Sequence, residues 1–111
     1  MILSETSSRY RNKLEIVKDI LSILEVAGAH GTKKTHIMYG ANLSYKLLEK
    51  YIEEVIESGL IYTDERSIYF ITDKGKEFLK IYMNYETEMK VVDNHLLNIK
   101  NGKDELKKML E

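Results

Sequence analysis

The sequence predicts a mainly helical fold with one small β-hairpin, an α+β class that ends in a long helix. Three observations support this prediction. A short helical segment, a tight turn and an amphipathic helix follow one another over residues 35–58, and two β-rich runs lie close together over residues 60–71. An apolar heptad pattern then runs from Phe78 to Ile99. The 111 residues suit one domain with a helical extension.

The composition excludes several classes of protein. The chain has no cysteine, so we exclude disulfide frameworks, cysteine-based zinc sites and thiol nucleophiles. The apolar start at residues 1–3 is too short for a signal peptide, and no apolar run is long enough to predict a membrane span. We therefore expect a cytoplasmic protein without a membrane partner. The absence of proline and the 32% of charged residues fit a thermophile, although ordinary compositional drift also explains them.

Charge is distributed unevenly along the chain. The net charge is −1, which is less basic than is usual for proteins that bind nucleic acid. Residues 1–51 hold eight basic and five acidic residues, a net charge of +3, whereas residues 52–77 hold three and seven, a net charge of −4. Residues 78–111 are balanced. The positive part of the chain is therefore the part that contains the first helices.

Residues 1–10 are polar, and we expect them to form a flexible arm. Arg9, Arg11 and Lys13 give its end a positive charge that could contact phosphate or a minor groove, but a solvated terminus is the favoured interpretation. Residues 11–27 then predict the first full helix. Its apolar positions cover more than half of its circumference, so we expect most of them to be buried: Leu14, Ile16, Val17, Ile20, Leu21, Ile23, Leu24 and Ala27.

The short helix near residue 35 is predicted to begin with positive charge and to end in a tight turn. Lys33, Lys34 and His36 lie where the free backbone N–H groups of a helix start favour an anion, so we predict phosphate contacts for them. Gly40 and Asn42 both tolerate a left-handed backbone, which suits the turn that follows.

Ser44 is the predicted N-cap of the next helix, whose inner face is apolar at Leu48, Tyr51, Ile52, Val55 and Ile56. Its outer face carries Lys46 and Lys50. A short helix, a tight turn and a second amphipathic helix form a helix-turn-helix, in which the second helix can enter the major groove of DNA. The β-hairpin follows at once, and this order of elements predicts a winged helix-turn-helix over residues 11–72.

The last helix is predicted over residues 73–111, with Thr72 as its N-cap. So long a helix extends beyond a small domain, and its stripe needs a partner. A second copy of the chain is the simplest partner, although the helix could fold back on its own domain, and heptads alone do not distinguish parallel from antiparallel pairing. The predicted dimer interface consists of Phe78, Tyr82, Tyr85, Met89, Val92, Leu96 and Ile99. Asn101 and Gly102 could kink or end the helix.

Four stretches resemble a known family: residues 13–16 together with 20–21, then 35–46, 59–61 and 71–79. The family comprises small archaeal winged-helix proteins with a C-terminal coiled coil, among them ten-kilodalton DNA-binding chromatin-type proteins and predicted transcriptional regulators. The resemblance implies a homodimer joined by an antiparallel coiled coil, which binds double-stranded DNA through the second helix of each head. Transferred to this sequence, it places the following residues at the DNA: Lys33, Lys34, His36, Ser44, Tyr45, Lys46, Lys50 and Arg66.

Some features depart from that family. The wing carries Asp64 and Glu65 beside Arg66, and these acidic side chains repel phosphate. Leu47 makes the outer face of the second helix partly apolar. Glu49, Glu53 and Glu57 make its later turns acidic, although Lys46 and Lys50 are spaced to pair with them. The departures favour weak or sequence-selective binding over dense coating of DNA.

No catalytic motif is present, and the three histidines have no ligand cluster near them in the sequence, so we expect neither an enzyme nor a metal site. We also expect no cofactor and no small-molecule ligand. The leading hypothesis is a homodimeric, nucleoid-associated DNA-binding protein that regulates transcription or packages chromatin. The alternative is a winged helix that docks a protein through Tyr45 and Leu47. A continuous positive stripe on the folded surface would favour DNA, and an interrupted one would favour protein.

Overall fold

The computed structural model describes residues 11–111, so the arm predicted over residues 1–10 lies outside the described residues. The described elements, in chain order, are α1 (Lys13–Ala27), a 3-10 turn (Gly28–His30), β1 (Thr32–Lys33), α2 (Lys34–Gly40), α3 (Tyr45–Glu57), β2 (Ile61–Thr63), β3 (Ile68–Ile71) and α4 (Asp73–Met109). The predicted mainly helical fold with a small β-hairpin is confirmed, and the strand before α2 extends the hairpin to three strands.

A capping box starts α1. The Asn12 side chain accepts a hydrogen bond from the Glu15 N–H over 2.9 Å, and the Glu15 carboxylate accepts one from the Asn12 N–H over 3.1 Å. Further along, Ile20 and Leu21 are fully buried, as the apolar pattern predicts. Leu14 differs from the expectation because it lies in the first turn, outside the core, and is 44% exposed.

The turn between α2 and α3 uses its two candidate residues differently. Asn42 has the expected positive φ, 53°. Gly40 does not: it belongs to α2, and a Cβ there would lie 2.7 Å from the Ile23 side chain. Gly40 therefore does not use the left-handed backbone that it tolerates. The missing Cβ leaves room for the Ile23 side chain where α2 packs on α1.

The three strands form one antiparallel sheet in the order β1, β3, β2. Tyr69 at the middle of the sheet is paired with Thr32 on one side and with Thr63 on the other. The predicted hairpin is thus confirmed, and its tip is the four-residue segment 64–67. β1 joins the start of α2 to the sheet, so the sheet and the helix-turn-helix form one body.

The core lies between α1, α2, α3, the sheet and the first turns of α4. Within residues 11–111 no polar or charged side chain is buried, so the interior is held by apolar packing alone. The core residues that are at most 2% exposed are Ile20, Leu21, Leu24, Ile37, Ala41, Leu48, Val55 and Ile61. We call this part of the molecule, residues 11–82, the head. It has a closed core of its own.

Thr72 caps α4 as predicted, because its hydroxyl accepts a hydrogen bond from the Gly75 N–H over 3.0 Å. A Cβ on Gly75 would lie 2.3 Å from the Leu60 carbonyl oxygen, so glycine is required where α4 crosses the end of the sheet. The helix has 37 residues, about 55 Å at roughly 1.5 Å per residue. It continues through Asn101 and Gly102, so the break considered there is absent.

The molecule is elongated, with extents of 70 × 26 × 21 Å, because the distal part of α4 projects away from the head. Within residues 11–111 no helix has the length and hydropathy that spanning a membrane requires.

Candidate nucleic-acid interface

The second helix of the helix-turn-helix, α3, lies with one face on the core and the other in solvent. Ser44 caps it as predicted, accepting a hydrogen bond from the Leu47 N–H over 3.2 Å. Leu48 and Ile52 on the inner face are buried. On the outer face, Tyr45 is 63% exposed and Leu47 is 42% exposed. The sequence therefore presents a helix surface of aromatic, apolar and basic side chains to a partner.

A cross-helix cluster fixes the start of this outer face. The Lys34 ammonium at the beginning of α2 forms a short ion pair with the Glu49 carboxylate on α3. The hydrogen bond that Lys34 donates to Glu49 raises the pKa of Lys34 and lowers the pKa of Glu49. Tyr45 lies beside the pair, since its ring centroid is 5.9 Å from Lys34 Nζ. The charge of Lys34 is therefore partly neutralised by Glu49 next to the exposed Tyr45 ring.

The two lysines of α3 behave differently from Lys34. The sequence allowed Lys46 and Lys50 to pair with the glutamates of their own helix, but no ion pair within residues 11–111 includes either of them. Lys50 Nζ lies 5.5 Å from the ring centroid of Tyr51. Both lysines are exposed, so their charges face solvent on one side of α3.

The wing is short, and its arginine is engaged. Arg66 donates two hydrogen bonds to Asp64 Oδ2, over 3.0 Å from Nε and 2.8 Å from Nη2. Asp64 Oδ1 accepts the backbone N–H groups of Arg66 and Ile68 and so holds the turn. These bonds, that of Ile68 first, lower the pKa of Asp64. A phosphate would have to compete with Asp64 for the Arg66 guanidinium.

The basic residues before and within the first turn of α1 are also engaged. Arg11 donates to Asp19 over 2.6 Å and to the Asn42 carbonyl over 3.0 Å, which ties α1 to the turn before α3. Lys13 pairs with Glu54 over 2.7 Å. Because these partners are far apart in sequence, no local pattern predicts the pairs. The interpretation of Arg11 and Lys13 as phosphate contacts is therefore weakened.

The predicted DNA-binding residues thus fall into three groups. Ser44, Tyr45, Lys46 and Lys50 lie together at the start and along the outer face of α3. Lys33 and His36 are exposed near the beginning of α2, and Lys33 faces Ile68 across the sheet. Lys34 and Arg66 are in ion pairs. Positive charge on this side is therefore interrupted, and all eight DNA contacts stay predictions.

Within the described residues, no three histidine, aspartate or glutamate side chains converge to form a metal site.

The heptad stripe of α4 divides at Tyr82. Tyr82 is only 6% exposed because it packs in its own head, where its ring centroid lies 5.7 Å from Lys18 Nζ. This burial raises the pKa of Tyr82. Phe78 is partly buried against the head's core. The other five residues of the predicted dimer interface are exposed: Tyr85, Met89, Val92, Leu96 and Ile99. The part of the stripe that a partner can reach therefore begins at Tyr85.

The fold and the matched sequence define the class of protein: the chain belongs to the winged helix-turn-helix family, whose model matches residues 10–90. Among solved structures it is similar to Sso10a-2, a DNA-binding protein from Sulfolobus solfataricus. The two share 27% sequence identity over 91% of this chain and 98% of that chain, with a TM-score of 0.54. The resemblance to small archaeal winged-helix proteins is thereby confirmed.

The chain is also similar to two structures of MepR from S. aureus, a mutant and a complex with ethidium bromide. Identity is 16% and 15%, the match covers 96% of this chain and 83% and 82% of those chains, and the TM-scores are 0.62 and 0.55. At this identity the likeness concerns the fold alone. No curated protein matches the chain in sequence.

Proposed function

We propose that this protein is a homodimeric DNA-binding regulator or nucleoid-associated protein that inserts α3 of each subunit into the major groove. The proposal rests on the outer face of α3. This face is exposed, it is basic at Lys46 and Lys50, and its aromatic residue Tyr45 lies beside Lys34. The family of the chain and its similarity to a DNA-binding protein support the same conclusion.

The dimensions of α3 suit this role. An α-helix with its side chains is about 10–12 Å wide, and the major groove of B-DNA is about 12 Å wide. Residues near the helix start reach base edges in this kind of docking. Ser44 and Tyr45 are placed to supply base preference, while Lys46 and Lys50 supply phosphate contacts that depend on salt but not on sequence.

The remaining basic residues have smaller parts in the proposal. Lys33 and His36 are exposed close to the start of α2 and would contact flanking phosphates. Lys34 and Arg66 would contribute only when DNA displaces Glu49 and Asp64 from them. Both pairs remain partly open to solvent, where an ion pair contributes at most about 1 kcal/mol, so displacing the carboxylate costs little.

Dimerisation is proposed through the distal part of α4. Its exposed apolar stripe needs a covering surface, and a second copy presents the same stripe. Two heads joined in this way would bind two half-sites, with the length of the coiled coil fixing the distance between them.

The experiment compares DNA binding by the wild type and Lys46→Ala/Lys50→Ala over a salt series, on random and genomic duplexes. The matched control is Lys76→Ala/Lys80→Ala, which removes two exposed lysines from α4 instead. Each lost phosphate contact lowers the salt slope by about 0.9, so four contacts in a dimer lower it by roughly 3 to 4. We expect that loss in the α3 variant and a near wild-type slope in the control.

Equal slopes in both variants would contradict binding through α3, and a folded wild type without affinity at low salt would contradict DNA binding. Preference for particular genomic fragments would indicate gene regulation, and indifference would indicate packaging.

The interrupted positive charge favours one second candidate, a module that docks another protein. Lys34 and Arg66 are paired with carboxylates, and Leu47 adds exposed apolar surface beside Tyr45. If the protein is such a docking module, we expect Tyr45→Ala/Leu47→Ala to abolish binding of the partner protein and Lys46→Ala/Lys50→Ala to leave it intact.

A further inference from the structure

The sheet has two faces, and its strands divide their apolar residues between them. Side chains alternate along a strand, and residues paired directly across two strands lie on the same face. Ile61 and Tyr69 lie on the face that packs on the core, and both are buried. The alternation and the register place four other strand residues on the opposite face, which we call the outer sheet face: Lys33, Tyr62, Ile68 and Phe70.

A stacked pair of aromatic rings occupies the outer sheet face. Tyr62 and Phe70 are paired directly across β2 and β3, and their ring centroids lie 5.1 Å apart at an interplanar angle of 19°. Tyr62 is 51% exposed, and Phe70 and Ile68 are partly buried. Within residues 11–111, none of these three side chains belongs to the core cluster. The aromatic pair therefore leaves ring surface open to solvent without serving the core.

The neighbouring backbone holds this pair in place. Gly31 has a φ of 65°, and a Cβ there would lie 2.5 Å from Ile68 Cγ2 and 2.6 Å from Phe70 Cε1. The turn at Gly31 thus lies directly against the outer sheet face. Because the Phe70 ring is confined by this turn and stacked on Tyr62, the aromatic surface is formed before any partner binds.

The charge of the sheet is positive. Its three strands contain one charged residue, Lys33, and no acidic residue, since Asp64 and Glu65 lie beyond the strands at the tip of the wing. Lys33 is exposed and makes no ion pair within residues 11–111. It is paired with Ile68, which makes it the diagonal neighbour of Phe70, at roughly 7–8 Å between Cβ atoms. Aromatic surface and an available cation therefore lie side by side.

We propose that the outer sheet face binds single-stranded nucleic acid, with a base stacked on Tyr62 and a phosphate on Lys33. Proteins bind single strands by combining aromatic rings with cationic side chains, because every base has a π-face that can stack. The bases of a duplex are stacked on each other and do not present that face. The site is therefore separate from the outer face of α3, and Lys33 contacts a single strand here and a flanking phosphate when α3 holds a duplex.

The size of the outer sheet face favours a single strand over a protein partner. Strands lie about 4.8 Å apart and rise about 3.3 Å per residue, so three strands of up to four residues measure roughly 10 Å by 13 Å. A stable protein interface covers about 800 Å² on each partner, several times this area. Aromatic sheet faces of similar kind in RNA-binding domains stack about two or three bases.

Binding measurements with matched variants test the site. Labelled oligo-dT and oligo-U of about 15 nucleotides and a duplex of the same length are titrated with each protein. Tyr62→Leu keeps apolar bulk but removes the ring, and Tyr62→Phe keeps the ring. Tyr39→Leu removes a tyrosine of α2 that is 75% exposed and is the control. We expect Tyr62→Leu to weaken single-strand binding roughly fivefold to a hundredfold, with Tyr62→Phe and Tyr39→Leu near the wild type and duplex binding unchanged.

Photocrosslinking of the wild-type protein locates the stacked base without any substitution. A single 5-iodouracil in the oligonucleotide is irradiated in the complex, and the crosslinked peptide is identified by mass spectrometry. We expect the crosslink on Tyr62 or Phe70. A crosslink confined to Tyr45 would place the single strand on α3 and would overturn the inference.

Other outcomes also decide the question. Equal single-strand affinities of Tyr62→Leu and Tyr39→Leu would overturn the stacking site. A folded wild type that binds neither oligonucleotide at low salt would do the same and would favour a protein partner for this face. Dependence on Tyr62 with either oligonucleotide supports the site, and a preference between them identifies DNA or RNA as the ligand. The duplex titration tests α3 separately, so loss of duplex binding alone would contradict only the proposed function.

Discussion

The head and the distal part of α4 use apolar residues in opposite ways. In the head, the apolar faces of four helices and the sheet close on each other, and Ile20, Leu24 and Leu48 lose all contact with solvent. Beyond Tyr82, none of the residues up to 111 is buried, although Leu96, Ile99 and Leu106 repeat at regular spacing. The head is therefore complete within one chain, whereas the distal helix carries a pattern that only another surface can complete.

This contrast has an energetic basis. An isolated helix is marginally stable in water, and most helix stability in proteins comes from packing of an apolar face. None of the residues of α4 after Tyr85 is buried within the single chain. The proposed pairing with a second α4 would account both for their helical state and for their exposed stripe. Four predictions test how separate the two regions are, from the largest expected effect to the smallest.

The same substitution should act very differently in the two regions. Leu48→Ala removes a fully buried side chain from α3 and is expected to lower the free energy of unfolding by about 2–5 kcal/mol. Leu97→Ala, half exposed and off the stripe, is expected to change it by less than about 0.5 kcal/mol. Urea denaturation followed by circular dichroism measures both. Equal losses would mean that the head is not an independent core.

Two glycines of α4 should respond with opposite signs. Gly75→Ala places a Cβ against the Leu60 carbonyl oxygen and is expected to destabilise the protein by about 1–3 kcal/mol. Gly102→Ala meets nothing within 4 Å and is expected to stabilise it by up to about 1 kcal/mol, since alanine favours the helix. The melting temperatures of both variants, compared with that of the wild type, show whether the two effects have opposite signs. A tolerated Gly75→Ala would show that α4 does not cross the sheet as closely as described.

Glu49→Gln should strengthen DNA binding by releasing Lys34. We expect affinity to rise a few-fold and the salt slope to steepen by about one for each subunit that gains a phosphate contact. Glu57→Gln removes an equal charge from the end of α3, where no ion pair is formed within residues 11–111, and is the control. An identical response of the two variants would mean that Lys34 does not reach DNA.

Asp64 in the wing should make the stability of the protein depend on pH under acidic conditions. The native pKa of Asp64 is lowered, so its contribution is present above the unfolded value of about 3.9 and is lost as pH falls through the lower native value. The difference in melting temperature between wild type and Asp64→Asn is therefore expected to be small but steady near neutral pH and to disappear as the pH falls through the lowered native pKa of Asp64. A difference in melting temperature that does not change with pH would mean that Asp64 acts through the shape of its side chain and not through its charge.

Local sequence patterns predicted most of the head. The spacing of apolar residues placed α1, α3 and α4, and Ser44, Thr72 and Asn42 were recognisable because caps and left-handed turns require few residue types. The hairpin followed from two β-rich runs. These features depend on neighbours within a few positions, which a sequence displays directly.

The site was less predictable because its charges pair over long sequence distances. Lys34 and Glu49 are 15 positions apart, and Arg11 reaches a carbonyl 31 positions away. The stripe of α4 shows a related difficulty. Its spacing is uniform, yet Tyr82 serves the head while Tyr85 is exposed. Periodicity identifies an apolar face but not which surface covers each of its residues.

The most direct test of this division is sedimentation equilibrium over a range of protein concentrations. We expect the wild type to have twice the mass of one chain. We expect Leu96→Asp/Ile99→Asp to sediment as a monomer whose head unfolds at an unchanged temperature. Val91→Asp/Leu97→Asp, which adds the same charges off the stripe, should remain dimeric. A monomeric wild type at micromolar concentration, or a dimer that survives charges on the stripe, would contradict pairing through the stripe of α4.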